Sequence, residues 1–386
     1  MLNGRMMDMP LLISSIIDYA ADVRGSSEIV SQTVEGHLHR YTYGDSHRRT
    51  CQLANALKKL GIGEGDRVAT LAWNGYRHFE LYYAITGIGA VCHTINPRLF
   101  ADQIIYVINL AKDRIIFIDK TFVPIIEKLI DRLPSELMYV ILCNRDDMPD
   151  TSLPKALCFE ELISPENSSI TWPSLDERAA SSLCYTSGTT GNPKGVLYSH
   201  RSILLHTFGM LTFAADVGLT PTSTVLPVVP LFHANAWGLP FAVPLVGAKL
   251  VFPGPALDGA SIYELIDSEK PDLLMGVPTV WLGLLQYLNE TNQTLECVDT
   301  ALVGGAAAPR AMIQEFEEKH DVFLMHGWGM TEMSPLGTAT VKTKEMEDMD
   351  IEARYDLQQR QGKAFFGVEM TIADDDGNEL PQDGIA

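Results

Sequence analysis

From Asp66 onward, short runs of β-branched, aromatic and aliphatic residues alternate with longer amphipathic runs. RVATLAW is followed by HFELYYAITGIG and AVCHTIN, then RIIFID by TFVPIIEKLIDRL and MYVILC. Strands that alternate with helices need crossover connections, so this order predicts βαβ units on a largely parallel sheet. A second series begins near Ser202. Helical SILLHTFGMLTFAA leads into strands STVLPVV and AKLVF, helix SIYELIDSEK, strand DLLMGV, helix TVWLGLLQYLNE, strand TALVGG, helix AMIQEFEEKH and strand VFLMHG. Two α/β lobes are expected, about 1–190 and 191–340. From 341 to 386 the composition turns charged and loop-rich, and ADDDGNEL predicts a strand end and an Asp-Gly turn at the start of a β-rich third subdomain. At 386 residues, 46% hydrophobic and 20% charged, the chain can fill interiors of this size.

A net charge of -20 argues against nucleic acid or an anionic membrane surface as partner, since both are bound through clustered lysine and arginine. A small anion can still bind, because screening leaves the choice to local groups. Six cysteines stand singly with no CxxC pair, which points to a reducing cytoplasm. The N-terminal MLNGRMMDMPLLISSIIDYAADV predicts an amphipathic helix and not a leader. The apolar stretch from Pro240 to Pro253 is broken by Pro244, Gly247 and Lys249 and is too short for a membrane span.

Four stretches carry candidate chemistry. TSGTTGNPKG, Thr186 to Gly195, departs from the P-loop pattern, because Pro193 precedes Lys194, no hydroxyl follows it, and VLY continues as a strand. The loop is therefore expected to join two strands. Thr186, Ser187, Gly188, Thr189, Thr190 and Gly191 offer close backbone approach and hydroxyl donors to an anion, and Lys194 a charge. A plain surface turn has the same composition. HGWGMTE follows a strand, where ligands gather in open α/β sheets. Trp328 offers a flat face for a purine, Thr331 a phosphate donor and Glu332 an oxygen for Mg²⁺. Core packing and a solvated charge are the alternatives. GGAAAP, Gly304 to Pro309, would let a ligand or a packed helix approach the backbone, and PLFHANAWG sets His233 and Trp237 four apart in apolar surroundings. No HExxH, paired-cysteine or GxSxG pattern supports zinc or serine-hydrolase chemistry, and DDDG lacks calcium-loop spacing.

In this order and spacing the four stretches resemble the acyl-adenylate-forming superfamily, which includes acyl-CoA synthetases, luciferases and peptide-synthetase adenylation domains. The N-terminal MDMPLLISSIIDYAA, NAWGLP and GVPTVW are most similar to the medium- and long-chain acyl-CoA synthetases and their 3-methylmercaptopropionate–CoA ligase relatives. The resemblance implies the large N-terminal body of an adenylate-forming enzyme, an ATP-dependent acid–CoA ligase with ATP, Mg²⁺ and CoA. It implies that Thr186 to Gly191, Lys194, Ala306, Ala307, His326, Gly327, Trp328 and Thr331 bind nucleotide and that Glu332 holds magnesium. It implies that His233, Trp237, Gly305 and Ala306 line the acyl site, with Lys194, Thr331, Glu332 and His233 the catalytic set. His233 would stand where the acyl and pantetheine channels meet, and Trp237 would gate the acyl tunnel. By analogy with long-chain relatives a homodimer is expected. The family's ribose-binding aspartate motif, hinge and small C-terminal domain with its adenylation lysine have no counterpart here, so this chain alone is expected to adenylate poorly. Transfer to a carrier thiol, a medium- or long-chain fatty acid substrate, and a non-catalytic nucleotide-binding regulator are the competing readings.

Overall fold

The computed structural model describes residues 2, 4–186, 191–212 and 217–381. In chain order, α1 (Ser14–Arg24) leads to the hairpin β1 (Glu28–Gln32) and β2 (Leu38–Thr42), and then to α2 (Tyr43–Lys59). There follow β3 (Arg67–Leu71), α3 (Tyr76–Gly87), β4 (Val91–Thr94), α4 (Ala101–Ala111), β5 (Ile115–Ile118), α5 (Val123–Glu127), β6 (Met138–Ile141), β7 (Leu157–Cys158) and α6 (Phe159–Ile163). The hairpin β8 (Ala180–Thr186) and β9 (Lys194–Ser199) precedes α7 (His200–Thr212), β10 (Thr224–Pro227), α8 (Leu239–Val246), β11 (Lys249–Phe252), α9 (Gly259–Glu269) and β12 (Leu273–Gly276). The remaining elements are α10 (Pro278–Thr291), β13 (Thr300–Val303), α11 (Arg310–His320), β14 (Phe323–Gly329), β15 (Leu336–Ala339), α12 (Lys344–Glu347), α13 (Ile351–Gln359) and β16 (Lys363–Ala364).

The strands form a seven-stranded sheet, β7-β6-β5-β3-β4-β8-β9, and a nine-stranded sheet, β16-β15-β14-β13-β12-β10-β11-β1-β2. Central pairs are parallel in both, and antiparallel pairing is confined to the ends: β8 with β9, β1 with β2, and β14 through β16. Parallel strands are covered on both faces, which explains why runs such as IIFI in β5 are buried throughout. Alternate residues serve different cores. Ile115 and Phe117 face the layer between the sheets, while Ile116 and Ile118 face α4 and α5.

The sheets do not part at residue 190. That position falls within the connection of the β8–β9 hairpin, and residues 28–42 belong to the second sheet through the pairing of Ile29 with Leu250 and Val30 with Val251. The reason is burial on two faces: Ile29 enters the layer between the sheets and Val30 the outer core, so β1 needs β11 as a neighbour. The expected helix over 121–133 is also interrupted. Pro124, lacking an N–H, is tolerated only in a first turn, so α5 begins there and 3-10 turns flank it. Between Val341 and β16 stand the short helices α12 and α13, and the Asp-Gly turn appears as the bridge of Ala373 to Glu379, with Gly377 at φ 84°.

All twelve residues of α3 are buried, because the helix lies between the sheets. Phe79 packs on Phe252 with ring centroids 5.7 Å apart, and Tyr82 and Tyr83 pack edge-on against Phe241 at 5.9 and 6.0 Å. Edge-on contact is a favoured geometry for aromatic rings. The charged residues of α3 are matched. Arg49 of α2 holds the fully buried Glu80 and also Glu160, and Arg77 holds Glu160 at 2.9 Å and Glu35 at 2.7 Å. Removing one partner of a buried pair leaves an uncompensated charge, so Arg49→Ala is expected to destabilise the protein by about 3–5 kcal/mol in urea unfolding.

Asp119, at the carboxyl end of β5, accepts the Trp73 N–H at 2.6 Å, yet burial pushes its carboxyl up to about 7. An unfolded aspartate titrates near 4, so between about pH 4 and 7 the folded state holds a proton that the unfolded state has released. Stability contributed through Asp119 therefore falls as pH rises across that window. Asp119→Asn keeps the acceptor and is expected to remove this slope, measured as the difference between wild-type and variant unfolding free energies at about pH 4.5 and about pH 8.

Candidate active site

The carboxyl ends of β13 and β14 open into a solvent-accessible cleft. Its wall includes His233, Trp237, Gly304, Gly305, Gly327, Trp328 and Thr331, so three of the four sequence stretches meet in one place. Parallel strands end there in loops free to line a crevice. The rest of the wall is apolar: Leu302, Met330, Pro335, Leu336 and Ala339, with Ala234 and Gly329. Met330 lies inside HGWGMTE and could have been singled out from the motif. Leu302, Leu336 and Ala339 are ordinary strand residues whose role depends on which way the sheet faces.

The phosphate-loop candidate joins two strands as expected, with Thr186 paired to Lys194 at the loop end of an antiparallel hairpin. Thr186 Oγ1 donates to the Lys194 carbonyl at 3.4 Å, Lys194 is exposed, and Gly191 sits at φ 134°, a conformation that favours glycine. Ser187, Gly188, Thr189 and Thr190 lie outside the described residues. From the same hairpin, Tyr198 Oη donates to the Thr331 carbonyl at 2.5 Å. That bond ties the strand after the loop to the cleft, and no motif in the sequence marks it.

Thr331 is buried and begins the 3-10 turn Thr331–Met333, on which Glu332 is exposed. The turn is tight: the Met330 N–H reaches the Pro335 carbonyl at 2.8 Å, and a Cβ on Gly329 would lie 2.1 Å from the same oxygen. Glu332 and Ala306 each follow a lining residue without lining the cleft, and Ala307 is exposed beyond Ala306. Among the described residues no group of three or more potential ligands surrounds a metal position. A single exposed carboxylate fits magnesium only where phosphate oxygens and waters complete its shell.

His326 stands behind the cleft. It is buried, its Nδ1 donates to the Gln359 carbonyl at 3.0 Å, and its Nε2 accepts the Ala308 N–H at 3.3 Å. Those bonds define the neutral tautomer, and burial lowers its pKa accordingly. His326 thereby pins the GGAAAP loop. His233 opens onto the cleft, and crowding by protein atoms lowers its pKa too, leaving an uncharged imidazole at neutral pH.

Ala234, Asn235, Ala236 and Trp237 all take positive φ, from 44° to 56°, so the chain makes a left-handed turn between His233 and α8. This turn aims the Trp237 ring across the cleft at Gly304, where an added Cβ would lie 3.2 Å from it. Gly304→Val is expected to destabilise by about 1–3 kcal/mol through overpacking, read by urea unfolding. The same change should be better tolerated in a Trp237→Ala background.

Residues 18–385 match the family model described as AMP-binding enzyme. The chain is 47% identical over 382 residues to 3-methylmercaptopropionyl-CoA ligase of Ruegeria lacuscaerulensis, covering 99% of this chain and 71% of that protein. It is 46% identical to medium-chain-fatty-acid–CoA ligase of Ectopseudomonas oleovorans, covering 99% of this chain and 70% of that protein. Among solved structures, an anthranilate CoA ligase in complex with anthranoyl-AMP superposes with a TM-score of 0.84 at 24% identity, covering 97% of this chain and 68% of that one. A family match along nearly the whole chain, with the cleft at the strand ends, leads to one conclusion: this chain belongs to the AMP-binding enzyme family.

Proposed function

We propose that the protein is an AMP-forming acid–CoA ligase acting on 3-methylmercaptopropionate. The observation that carries the reading is the single cleft in which His233 and Trp237 face Trp328 and Thr331, so an acyl group and a nucleotide can meet there. In the first step a carboxylate oxygen of the acid attacks the α-phosphorus of ATP, the bond to the bridging oxygen breaks, and pyrophosphate leaves. In the second, the CoA thiolate attacks the acyl carbon and AMP departs with its electron pair.

The chain's own residues divide the work by charge. Two anions about 4 Å apart repel by roughly 4 kcal/mol at an effective dielectric of 20, so the first step needs local cations. Lys194 neutralises the β- and γ-phosphates, aided by the amides of the Thr186–Gly191 loop, of which the central four residues lie outside the described set. Thr331 donates to the α-phosphate. Glu332 holds magnesium, which when bound would draw charge off the leaving pyrophosphate. Trp328 offers a face to the adenine, Gly305 the acyl-side backbone, and neutral His233 a polar contact where acid and thiol approach.

Support for a short thioether acid comes from the relative at 47% identity and from a wall of Met330, Leu302, Pro335 and Leu336. The relative at 46% identity favours a medium-chain acid as the second reading. Each methylene is worth about 0.8 kcal/mol of burial, so a panel of 3-methylmercaptopropionate, butyrate, hexanoate and octanoate in AMP formation separates the two. A kcat/KM for octanoate far above that for 3-methylmercaptopropionate would overturn the narrower choice. Glu332→Gln is expected to lower acid-dependent ATP–pyrophosphate exchange roughly 100-fold, with partial recovery at raised magnesium. Absence of any acid-dependent exchange in the protein carrying the small C-terminal domain would point to the nucleotide-binding regulator instead. A cytoplasmic location and a homodimer belong to the same proposal. Among the described residues no helix is long and apolar enough to cross a membrane.

A further inference from the structure

The segment from Pro227, the last residue of β10, to His233 finds most of its peptide partners outside itself. Pro227, which ends the ladder opposite Met275, and Pro230 contribute no N–H and fix φ, so the strand stops there and the segment closes on itself only in the turn from the His233 N–H to the Pro230 carbonyl at 3.1 Å. The amides of Val228 and Val229 both reach the Met275 carbonyl of β12, at 2.8 and 2.9 Å. Two further carbonyls and one amide of the segment are taken by a single side chain from the connection between β3 and α3. Asn74 Nδ2 donates to the carbonyls of Pro227 at 2.9 Å and Val229 at 2.8 Å, and its Oδ1 accepts the Leu231 N–H at 2.7 Å. Asn74 is only 4% exposed, and its own carbonyl accepts the Gly254 N–H at 3.0 Å. A carboxamide carries donors and an acceptor in one plane, as a peptide does, so Asn74 serves as the strand partner that the prolines deny this segment.

The next residues are held from the same side. Tyr82 Oη donates to the Leu231 carbonyl at 2.5 Å, and Thr94 Oγ1 to the Phe232 carbonyl at 3.3 Å. The left-handed turn from Ala234 to Trp237 follows. Such a conformation costs about 1–2 kcal/mol per non-glycine residue, and a run of it persists only where its surroundings over-determine it.

We infer that Asn74 is a positioning residue for His233 and Trp237, fixing from the opposite sheet where the acyl side of the cleft lies. The kinetic consequence rests on the proposed function; the structural one does not. Asn74→Asp has the same shape and keeps the acceptor for Leu231, but turns a carboxylate oxygen toward two carbonyls. Hydrogen exchange followed by mass spectrometry is expected to show amides of 231–237 exchanging roughly tenfold faster in this variant, with β5 and β6 unchanged. Unchanged exchange in a folded variant would overturn the inference. Should the variant fail to fold, Tyr82→Phe removes one hydroxyl from the same segment, and its exchange at 231–237 decides in the same way.

In acid-dependent thioester formation, Asn74→Asp is expected to raise KM for the acid and lower kcat about tenfold while KM for ATP stays within about twofold. Added to His233→Ala it should do little more, because both act through one contact. Additive losses in the double variant would show an independent structural role and defeat the inference. If the protein carrying the small C-terminal domain turned over no acid, the proposed function alone would be defeated, and the exchange measurement would still decide the placement of the segment.

Discussion

The burial of α3 between the two sheets is the constraint on which the remaining structure depends. A helix with twelve buried residues has no solvent face, so every polar group on it must find a partner in one of the flanking layers. Glu80 and Arg77 find theirs in α2, α6 and the β1–β2 turn. Tyr82 and Tyr83 send their hydroxyls the other way, to the carbonyls of Leu231 and Pro240 at 2.5 Å each. The layer is thus both hydrophobic filler and a polar link between lobes. It sets the spacing of the sheets and, through Leu231, the start of the segment that carries His233.

The cleft inherits that arrangement. Its floor comes from strand ends in the second sheet, and its two rims are loops that cannot hold their own shape: GGAAAP is pinned by His326 and the His233 segment by Asn74. Small residues at Gly304, Gly305 and Gly327 leave room for a ligand near the backbone, while the residues that stiffen the rims stay buried behind them. The division follows from chemistry. Groups that meet a ligand must remain accessible, whereas those that orient them gain most from a low-dielectric interior.

Much of this was legible in the chain. The strand-flanked phosphate-loop candidate, the position of HGWGMTE after a strand and the second α/β series follow from local pattern, because Gly, Pro and β-branched residues act over a few positions. The β1–β2 hairpin and α4 were not, since EIVSQ and ADQIIYVINLA lack strong punctuation and are stabilised by neighbours far away in sequence. Tyr198, Asn74 and Tyr82 escaped notice for a related reason. Tyr198 and Tyr82 are ordinary residues within their elements, Asn74 sits in the connection between β3 and α3, and their partners are 133 to 157 positions away.

The sequence by itself determined which chemistry is available: a lysine beside a glycine-rich turn, a threonine–glutamate pair after a strand, and a histidine and tryptophan four residues apart. These are local facts, carried by residue type and spacing. Only the tertiary structure decided that three of those stretches share one cleft, that His326 faces inward as a clamp while His233 faces outward, and that a left-handed turn points Trp237 at Gly304. Such outcomes arise from how two sheets close on a common helical layer, and that closure is set by long-range packing that no short stretch of the chain contains.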